Sequence, residues 1–358
     1  MMIVIDGDYG EGGGQIIRTA LALSALTGKS FQAENIRQGR CTAGLKAQHV
    51  WCVKTVGGMC NARTDGAELS SSKLVFEPGA LKPGDIKADI GTSGSIALLL
   101  QAVMPVAVFS PRPVKIKVIG GTDGRFAMPF DYFKNVFLPS ISWIAGIEAE
   151  MTHRGYFPKG QGEVKLRVSP RFSIREKEPI ADFIKRVRAS CPRICLTGQG
   201  RLIAVKGISH ASPDLKARQV AERQASAARK ALAGLGCRIK IERQYCDTAS
   251  RGSGICLWAC FDAGKTKPIL GSDALGEPRK SSEQVGREAA SRLLDEIKSK
   301  AAVDSHLADQ LMVFMAFTGG RIKTSKITPH CLTNKYVMEL FLGECFEVDK
   351  EGVVIEAR

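Results

Sequence analysis

GEGGGQIIRTALALSALTG, residues 10–28, sets a glycine run and one carboxylate directly ahead of a strongly apolar segment. The glycines break regular structure. The apolar run that follows predicts a helix enclosed on most of its sides. The same layout returns in GTSGSIALLLQAVMPVAVF (91–109) and in SHLADQLMVFMAFTGG (305–320). Each copy is followed by a short break and a β-rich stretch, such as KIKVIGGT (115–122). A layout recurring three times along the chain predicts a domain built from several similar αβ units. Upstream, MMIVIDGDYG reads as a buried strand running into a turn, so the first glycine run lies between a strand and a helix.

Between the second and third copies the character changes. ADFIKRVRASCPRICLTGQGRLIAVKGISH (181–210) begins charged and then alternates as a strand does. PDLKARQVAERQASAARKALAGLGC (213–237) reads as one long amphipathic helix, and RIKIERQYCD and GICLWACFDAG as two strands. Strands, a helix and further strands in this compass predict a compact inserted α/β domain. SPRFSIREKEP and GSDALGEPRKSS look like its polar crossing points, and SSEQVGREAASRLLDEIKSKA (281–301) is a further amphipathic helix. The expected fold class is therefore α/β (or α+β). The insert is placed at 181–272, in a larger discontinuous domain of 1–180 and 273–358.

A chain of 358 residues, 44% hydrophobic and 24% charged, buries a sizeable core. Its 37 glycines and 6% aromatics predict tight turns around an aliphatic interior. Lys and Arg number 51 against 36 Asp and Glu, a formal net charge of +15 spread along the chain. That excess favours a polyanionic partner, nucleic acid first, over a merely solvated basic surface. No apolar run approaches the length of a transmembrane helix. The N-terminus lacks the layout of a signal peptide, and a cytoplasmic location is expected. Eleven cysteines with no CxxC pair argue against a zinc ribbon. Cys191 and Cys195, like Cys256 and Cys260, lie four apart in strand-like segments, on one side of each strand, and read as core thiols.

Two familiar phosphate motifs fail. LTGKS (26–30) has Leu23 where a P-loop needs glycine, and it follows a helix where a P-loop precedes one. GEGGGQ has Gln15 where a dinucleotide fingerprint needs its last glycine. Its backbone amides could still meet a phosphate or carboxylate at the helix start, a tight turn being the equal alternative. IRQGRCTAGLKAQHV (36–50) sets Arg37 and Arg40 three apart, with Gln48 and His49 following. Paired guanidiniums suit bidentate phosphate recognition, against the alternative of a solvated basic face. HRGYFPKGQGEVKLRV (153–168) is a glycine-punctuated, positively charged turn leading into an alternating strand. ITPHCLTNKYV (327–337) holds His330, one of five histidines, in what reads as a loop. That segment alone favours a capping-loop histidine over a nucleophile.

Taken together and in order, these stretches resemble the RNA 3′-terminal phosphate cyclases of archaeal and bacterial type. The resemblance rests on IDGDYGEGGGQIIRT, the Ile-Arg-x-x-Arg…Gly-Leu-x-x-Gln-His block, Gly-Gly-Thr-Asp with FDYF after it, HRGYFPKGQGEV, His-Leu-Ala-Asp-Gln and His-x-x-Thr-Asn. It implies three repeated αβ units as in enolpyruvyl transferases, with an insert similar to the C-terminal domain of translation initiation factor 3. It also implies an ATP-consuming ligase that turns an RNA 3′-phosphate into a 2′,3′-cyclic phosphodiester through a histidine–AMP adduct, releasing AMP and pyrophosphate. Carried over position by position, His330 is the adenylylated nucleophile and Glu11 the carboxylate linked to a divalent metal (Mg or Mn). Gln101 and the loop His306, Leu307, Ala308, Asp309 and Gln310 bind nucleotide. Arg37, Arg40 and Gln48, with Gln15 and Arg18, bind the RNA phosphate. Thr333 and Asn334 orient the His330 loop, and His49 and His153 are structural. A non-catalytic RNA-binding homologue in ribosomal RNA processing is the alternative, and an enolpyruvyl transferase is disfavoured. The oligomeric state stays open, a homodimer included.

Overall fold

The computed structural model describes residues 2–82, 84–125 and 127–358. Strand β1 (Ile3–Asp6) runs through the glycine turn into helix α1 (Gln15–Thr27) and back to β2 (Phe31–Glu34), parallel to β1. Helix α2 (Ala47–Cys60) and strands β3 (Arg63–Asp65) and β4 (Leu74–Glu77) complete a sheet of order β1-β2-β4-β3. The chain then repeats this path. Strand β5 (Ile86–Asp89), helix α3 (Ile96–Val108) and strand β6 (Val114–Gly120) form the second parallel pair. A broken helix follows: α4 (Phe130–Tyr132), a π-helical turn Phe133–Phe137, and α5 (Leu138–Ile141). With β7 (Ala145–His153) and β8 (Gly162–Pro170) the sheet order is β5-β6-β8-β7.

The third pass is interrupted. After α6 (Ile180–Ser190), the short β9 (Ile194–Leu196) gives way to β10 (Arg201–Ala211), α7 (Val220–Leu232), β11 (Arg238–Tyr245), β12 (Ser253–Asp262), β13 (Ile269–Leu275) and α8 (Ser282–Lys298). Strands β10 to β13 form their own sheet, order β11-β10-β12-β13. Helix α9 (Ser305–Thr318), β14 (Gly320–Lys323), α10 (Pro329–Leu342), β15 (Phe346–Asp349) and β16 (Val354–Ala357) then close the third sheet, order β9-β14-β16-β15. Its β9–β14 pair is parallel, like β1–β2 and β5–β6. The three apolar runs are thus α1, α3 and α9, each the crossover between the parallel strands of its unit. Nearly every residue of α1 from Gln15 to Leu26 is buried, as are most of α3 and α9, because these helices share one core.

Several expectations need correction. Strand β1 is an edge strand with only Ile5 buried and Val4 61% exposed, since one of its sides has no neighbouring strand. Met1 lies outside the described residues. The expected single helix over 213–237 opens as a 3-10 turn, Pro213–Arg218, and Gln219 at φ 50° separates that turn from α7. Cys191 ends α6 and is buried, whereas Cys195 on β9 is exposed, so the two do not share a strand face. Sheet membership also cuts across the boundaries expected at 181 and 272. Strand β9 pairs with β14, while α8 lays Val285, Ala289 and Leu293 on the core that Val205 and Leu257 form in the insert. A three-residue strand is too short for alternation to reveal it.

The HRGYFPKGQGEV stretch is the joint between the second unit and the insert. Arg154 Nη1 donates to both carboxylate oxygens of Asp123, at 3.0 and 2.8 Å, and Nη2 donates to Asp131 at 2.8 Å. His210 on β10 places Nε2 3.3 Å from Asp123 and shares a 2.6 Å hydrogen bond with Tyr156 Oη. All five side chains are buried. Burial opposes ionisation of Asp123, but the Arg154 guanidinium and His210 outweigh it and hold its pKa below the ordinary value. Asp123, Asp131 and His210 have metal-binding proximity, yet the guanidinium already bridges the two carboxylates. Arg154→Met is expected to leave Asp131 without its ion-pair partner and Asp123 with only His210 and Thr122, and to cost about 3 kcal/mol of stability, measured by urea unfolding at neutral pH.

Candidate active site

The helix starts α1, α2, α3, α9 and α10 meet at one rim. Gln15, the first residue of α1, donates its side-chain amide to His330 O at the start of α10, 2.9 Å away. The His49 ring of α2 occupies the space that any side chain on Gly14 would need, which is why a glycine precedes α1. Gln48 Oε1 accepts from Ser95 N at the start of α3, 3.2 Å away. Asn334 Nδ2 donates to Asp309 O of α9 at 3.0 Å, and its Oδ1 accepts from Thr19 Oγ1 at 2.8 Å, which ties α10 to α9 and α1. Each helix start carries unpaired amides and the positive end of a dipole. Converging, they form a ready anion site.

Guanidiniums add to that field. Arg18 is buried on α1, its Nε donating to Gln101 Oε1 at 3.2 Å, and burial lowers its pKa. Arg40 Nη2 lies 3.5 Å from Glu11 Oε2. Arg37 sits at φ 58° and donates to Thr42 O at 3.4 Å, while its buried Nε has no hydrogen-bond partner. His49 Nδ1 accepts from Lys46 N at 3.0 Å. Burial and then Arg18 and Arg37 push its pKa down to about 3, so it is a neutral packing residue.

His330 does not lie in a loop. Thr328 caps α10 by accepting from Cys331 N, and Pro329 follows where a missing N–H costs nothing, so His330 is the second helical residue. Its side chain is 46% exposed. Nε2 stands 2.8 Å from Glu11 Oε1, and Nδ1 stands 3.8 Å from Asp309 Oδ2. Burial, then the charges of Arg18, Arg40 and His306, bring its pKa down to about 4, so the imidazole is neutral with a free lone pair at pH 7. Burial raises the pKa of Glu11 against the pull of Arg40 and Arg18. Glu11 Oε1 is buried without a hydrogen-bond partner, because its approach to His330 lacks hydrogen-bond alignment. Burial raises Asp309 to about 7, against the pull of His306 and Arg18.

Behind His330 a cleft is walled by Arg18, Gln101, Asp309 and Gln310 on its polar side and by Pro105, Phe137 and Phe314 on its apolar side. The structure therefore gathers Gln15, Arg18, Gln101, Asp309 and Gln310 around the cleft, with His330 joined to it through Gln15 and Asp309 and Glu11 beside His330. His306 is exposed at the start of α9, and its carbonyl accepts from Gln310 Nε2 at 2.6 Å. Leu307 and Ala308 are buried in the core and offer the cleft no polar side-chain group. Thr333 and Asn334 lie within α10, where Thr333 Oγ1 donates to Pro329 O at 2.9 Å. Sequence reasoning missed Pro105 and Phe137, which look like any other core residues along the chain; a proline inside an apolar helix was a signal for Pro105 alone. A more open hollow on the outer face of the second sheet, lined by Lys115, Lys117 and Arg167 against Glu148 and Glu150, alternates opposite charges and holds no histidine.

The family model for RNA 3′-terminal phosphate cyclase matches residues 9–348. A curated RNA 3′-terminal phosphate cyclase of Pyrococcus furiosus is 45% identical over 354 residues, covering 98% of this chain and 96% of that protein. Those of Methanosarcina acetivorans and Archaeoglobus fulgidus are 42% and 40% identical, covering 98% and 99% of this chain and 98% and 100% of theirs. With the glycine turn, the buried Arg154 joint and the His330 rim all inside the matched span, the chain belongs to the RNA 3′-terminal phosphate cyclase family.

Proposed function

We propose that this chain is an ATP-dependent RNA 3′-terminal phosphate cyclase that works through a covalent histidine–AMP intermediate. The observation that carries the reading is a neutral, half-exposed imidazole at a helix start, ringed by arginines and backed by a cleft with one apolar wall. The cleft, about 30 Å³ in volume, has to widen to admit a base against its apolar wall, and the converged helix starts suit a triphosphate.

In the first step His330 Nε2 attacks the α-phosphorus of ATP. An N–P bond forms, the bond to pyrophosphate breaks, and the Nδ1 proton is held by the Asp309 carboxylate, which a small ring rotation brings within reach. A terminal oxygen of the RNA 3′-phosphate then attacks the adduct, breaking the N–P bond and leaving an RNA-3′-pp-5′-A anhydride. Finally the 2′-hydroxyl attacks the 3′-phosphorus, forming the cyclic diester as AMP departs. Proximity supplies much of this last step. Glu11, with its buried and unpartnered Oε1, fits a divalent cation such as Mg or Mn, which when bound would neutralise charge on the ATP phosphates.

The finer architecture follows the same reading: three units as in enolpyruvyl transferases, and an insert like the C-terminal domain of translation initiation factor 3. Sheet membership supports an insert from about residue 197 to about residue 300 in place of 181–272. Among the described residues no helix is long and apolar enough to cross a membrane, and we take the cytoplasm as the place of action.

Incubation with α-labelled ATP and a divalent metal, without RNA, tests the reading. A protein-bound label that chases onto a 3′-phosphorylated RNA and yields a cyclic end supports it. Absence of any adduct favours RNA binding without catalysis. Arg37→Ala is expected to keep adduct formation within a few-fold while slowing transfer to RNA by about tenfold to a hundredfold, the worth of a charged hydrogen-bond pair. Loss of adduct formation instead would place Arg37 on ATP.

A further inference from the structure

Phe157 is 75% exposed, more than any other large apolar side chain among the described residues. Neither face of its ring meets an aromatic or a cation there. The backbone that carries it is held on every side. Tyr156 before it is buried and bonded to His210. Lys159 N donates to Ser250 Oγ of the insert at 3.1 Å, and Gly160 N donates to Tyr156 O at 2.8 Å. Gly160, at φ +70°, lies so near the 92–95 loop that a Cβ would fall 2.7 Å from Thr92 O. A turn this firmly clamped, holding a bare ring out to water, has its ordering cost met before any ligand arrives.

Its location gives the ring a use. The Thr92–Ser95 loop leads into the start of α3, where Ser95 N binds Gln48. Gln48 neighbours His49, which packs on Gly14, next to the Gln15 that holds the His330 carbonyl. Through these contacts the turn is linked to the helix starts that form the rim, and through Ser250 it abuts the insert. Lys159 is exposed and makes no ion pair among the described residues. Exposed Arg251 of the insert, next to Ser250, is paired with Asp214.

We propose that Phe157 is a stacking platform for a base of the single-stranded RNA that leads up to the 3′ end, with Lys159 neutralising a neighbouring phosphate. This rests on the RNA-end reading above. An aromatic face beside a free cation is the chemistry that grips single strands without choosing a sequence. The turn would thereby set the direction in which the strand leaves the rim.

The test compares wild type, Phe157→Ala and Phe157→Trp on two substrates, a nucleoside 3′-monophosphate and a 3′-phosphorylated single strand of about ten nucleotides, within the range that single-strand sites span. Phe157→Ala is expected to raise KM for the oligonucleotide about tenfold and to leave the mononucleotide and ATP-only adduct formation unchanged. Tryptophan should restore the oligonucleotide KM and show quenched fluorescence on binding it. Equal losses on both substrates would show a distorted site and overturn the proposal. So would no loss on either, including the case in which only self-association of the protein changes. Direct titration of labelled oligonucleotide reads the same contact even if no adduct forms, which separates failure of this proposal from failure of the cyclase reading.

Discussion

His330→Ala is expected to form no adduct with α-labelled ATP and to lose at least about 10⁴-fold in cyclisation, the scale on which removing a nucleophile acts. The side chain is half exposed at a helix start, so the variant should unfold at nearly the wild-type temperature, and loss of label cannot be laid to loss of fold. The bond itself identifies the residue, since a phosphoramidate is labile to acid and stable to alkali. The pH response is equally diagnostic. A protonated imidazole has no lone pair with which to attack. With its pKa brought down to about 4 by burial and the nearby arginines, His330 stays competent well below neutrality, and its own titration slows adduct formation only as pH falls through about 4. An ordinary histidine would fail near 6.5. A labelled adduct persisting in the alanine variant would remove His330 from the chemistry.

Asp309→Asn is expected to slow adduct formation about 10³-fold above pH 8, with KM for ATP changed far less. Asparagine keeps the size of the side chain but not the charge that an imidazolium forming at Nδ1 requires. The wild-type carboxyl, raised to about 7 by burial, is protonated and neutral below that value and ionised above it. Adduct formation should therefore climb as pH rises through 7 and level off beyond it. In the asparagine variant that inflection should disappear, leaving a flat profile down to the acid limb of His330. If the inflection stays, it belongs to another group, such as the terminal phosphate of ATP, and Asp309 is only part of the cleft wall.

Much of the architecture was legible because each unit announces itself twice, with a glycine or capping residue and then a run apolar on all sides. Such a run is what a crossover helix enclosed in a shared core must be, and α1, α3 and α9 are those runs. The insert could be seen but not bounded. Its limits are set by β9, three residues whose partner strand lies more than a hundred positions away, and by α8, whose amphipathic stripe says that it packs but not on what. At the site, residue identities were legible and their local structure was not. Thr328, Pro329 and His330 carry the signature of a helix start, yet the polar Thr-Pro-His-Cys run read as a loop. His210 gave no sign of its place in the Arg154 joint, because a buried histidine on an alternating strand looks like filler until Asp123 and Tyr156 are seen beside it.

The cleft and its rim draw Glu11, Gln15 and Arg18 from the start of the chain and Asp309 and His330 from near its close. A chain being synthesised emerges with its first units foldable long before its last. Until α10 has left the ribosome there is no imidazole at this rim, and a polypeptide stalled or clipped short of it retains arginines and a glycine turn with nothing for ATP to react with. Competence arrives only with α10, so a chain that carries the whole rim is separated from every product that stops short of it by chemistry as well as by length.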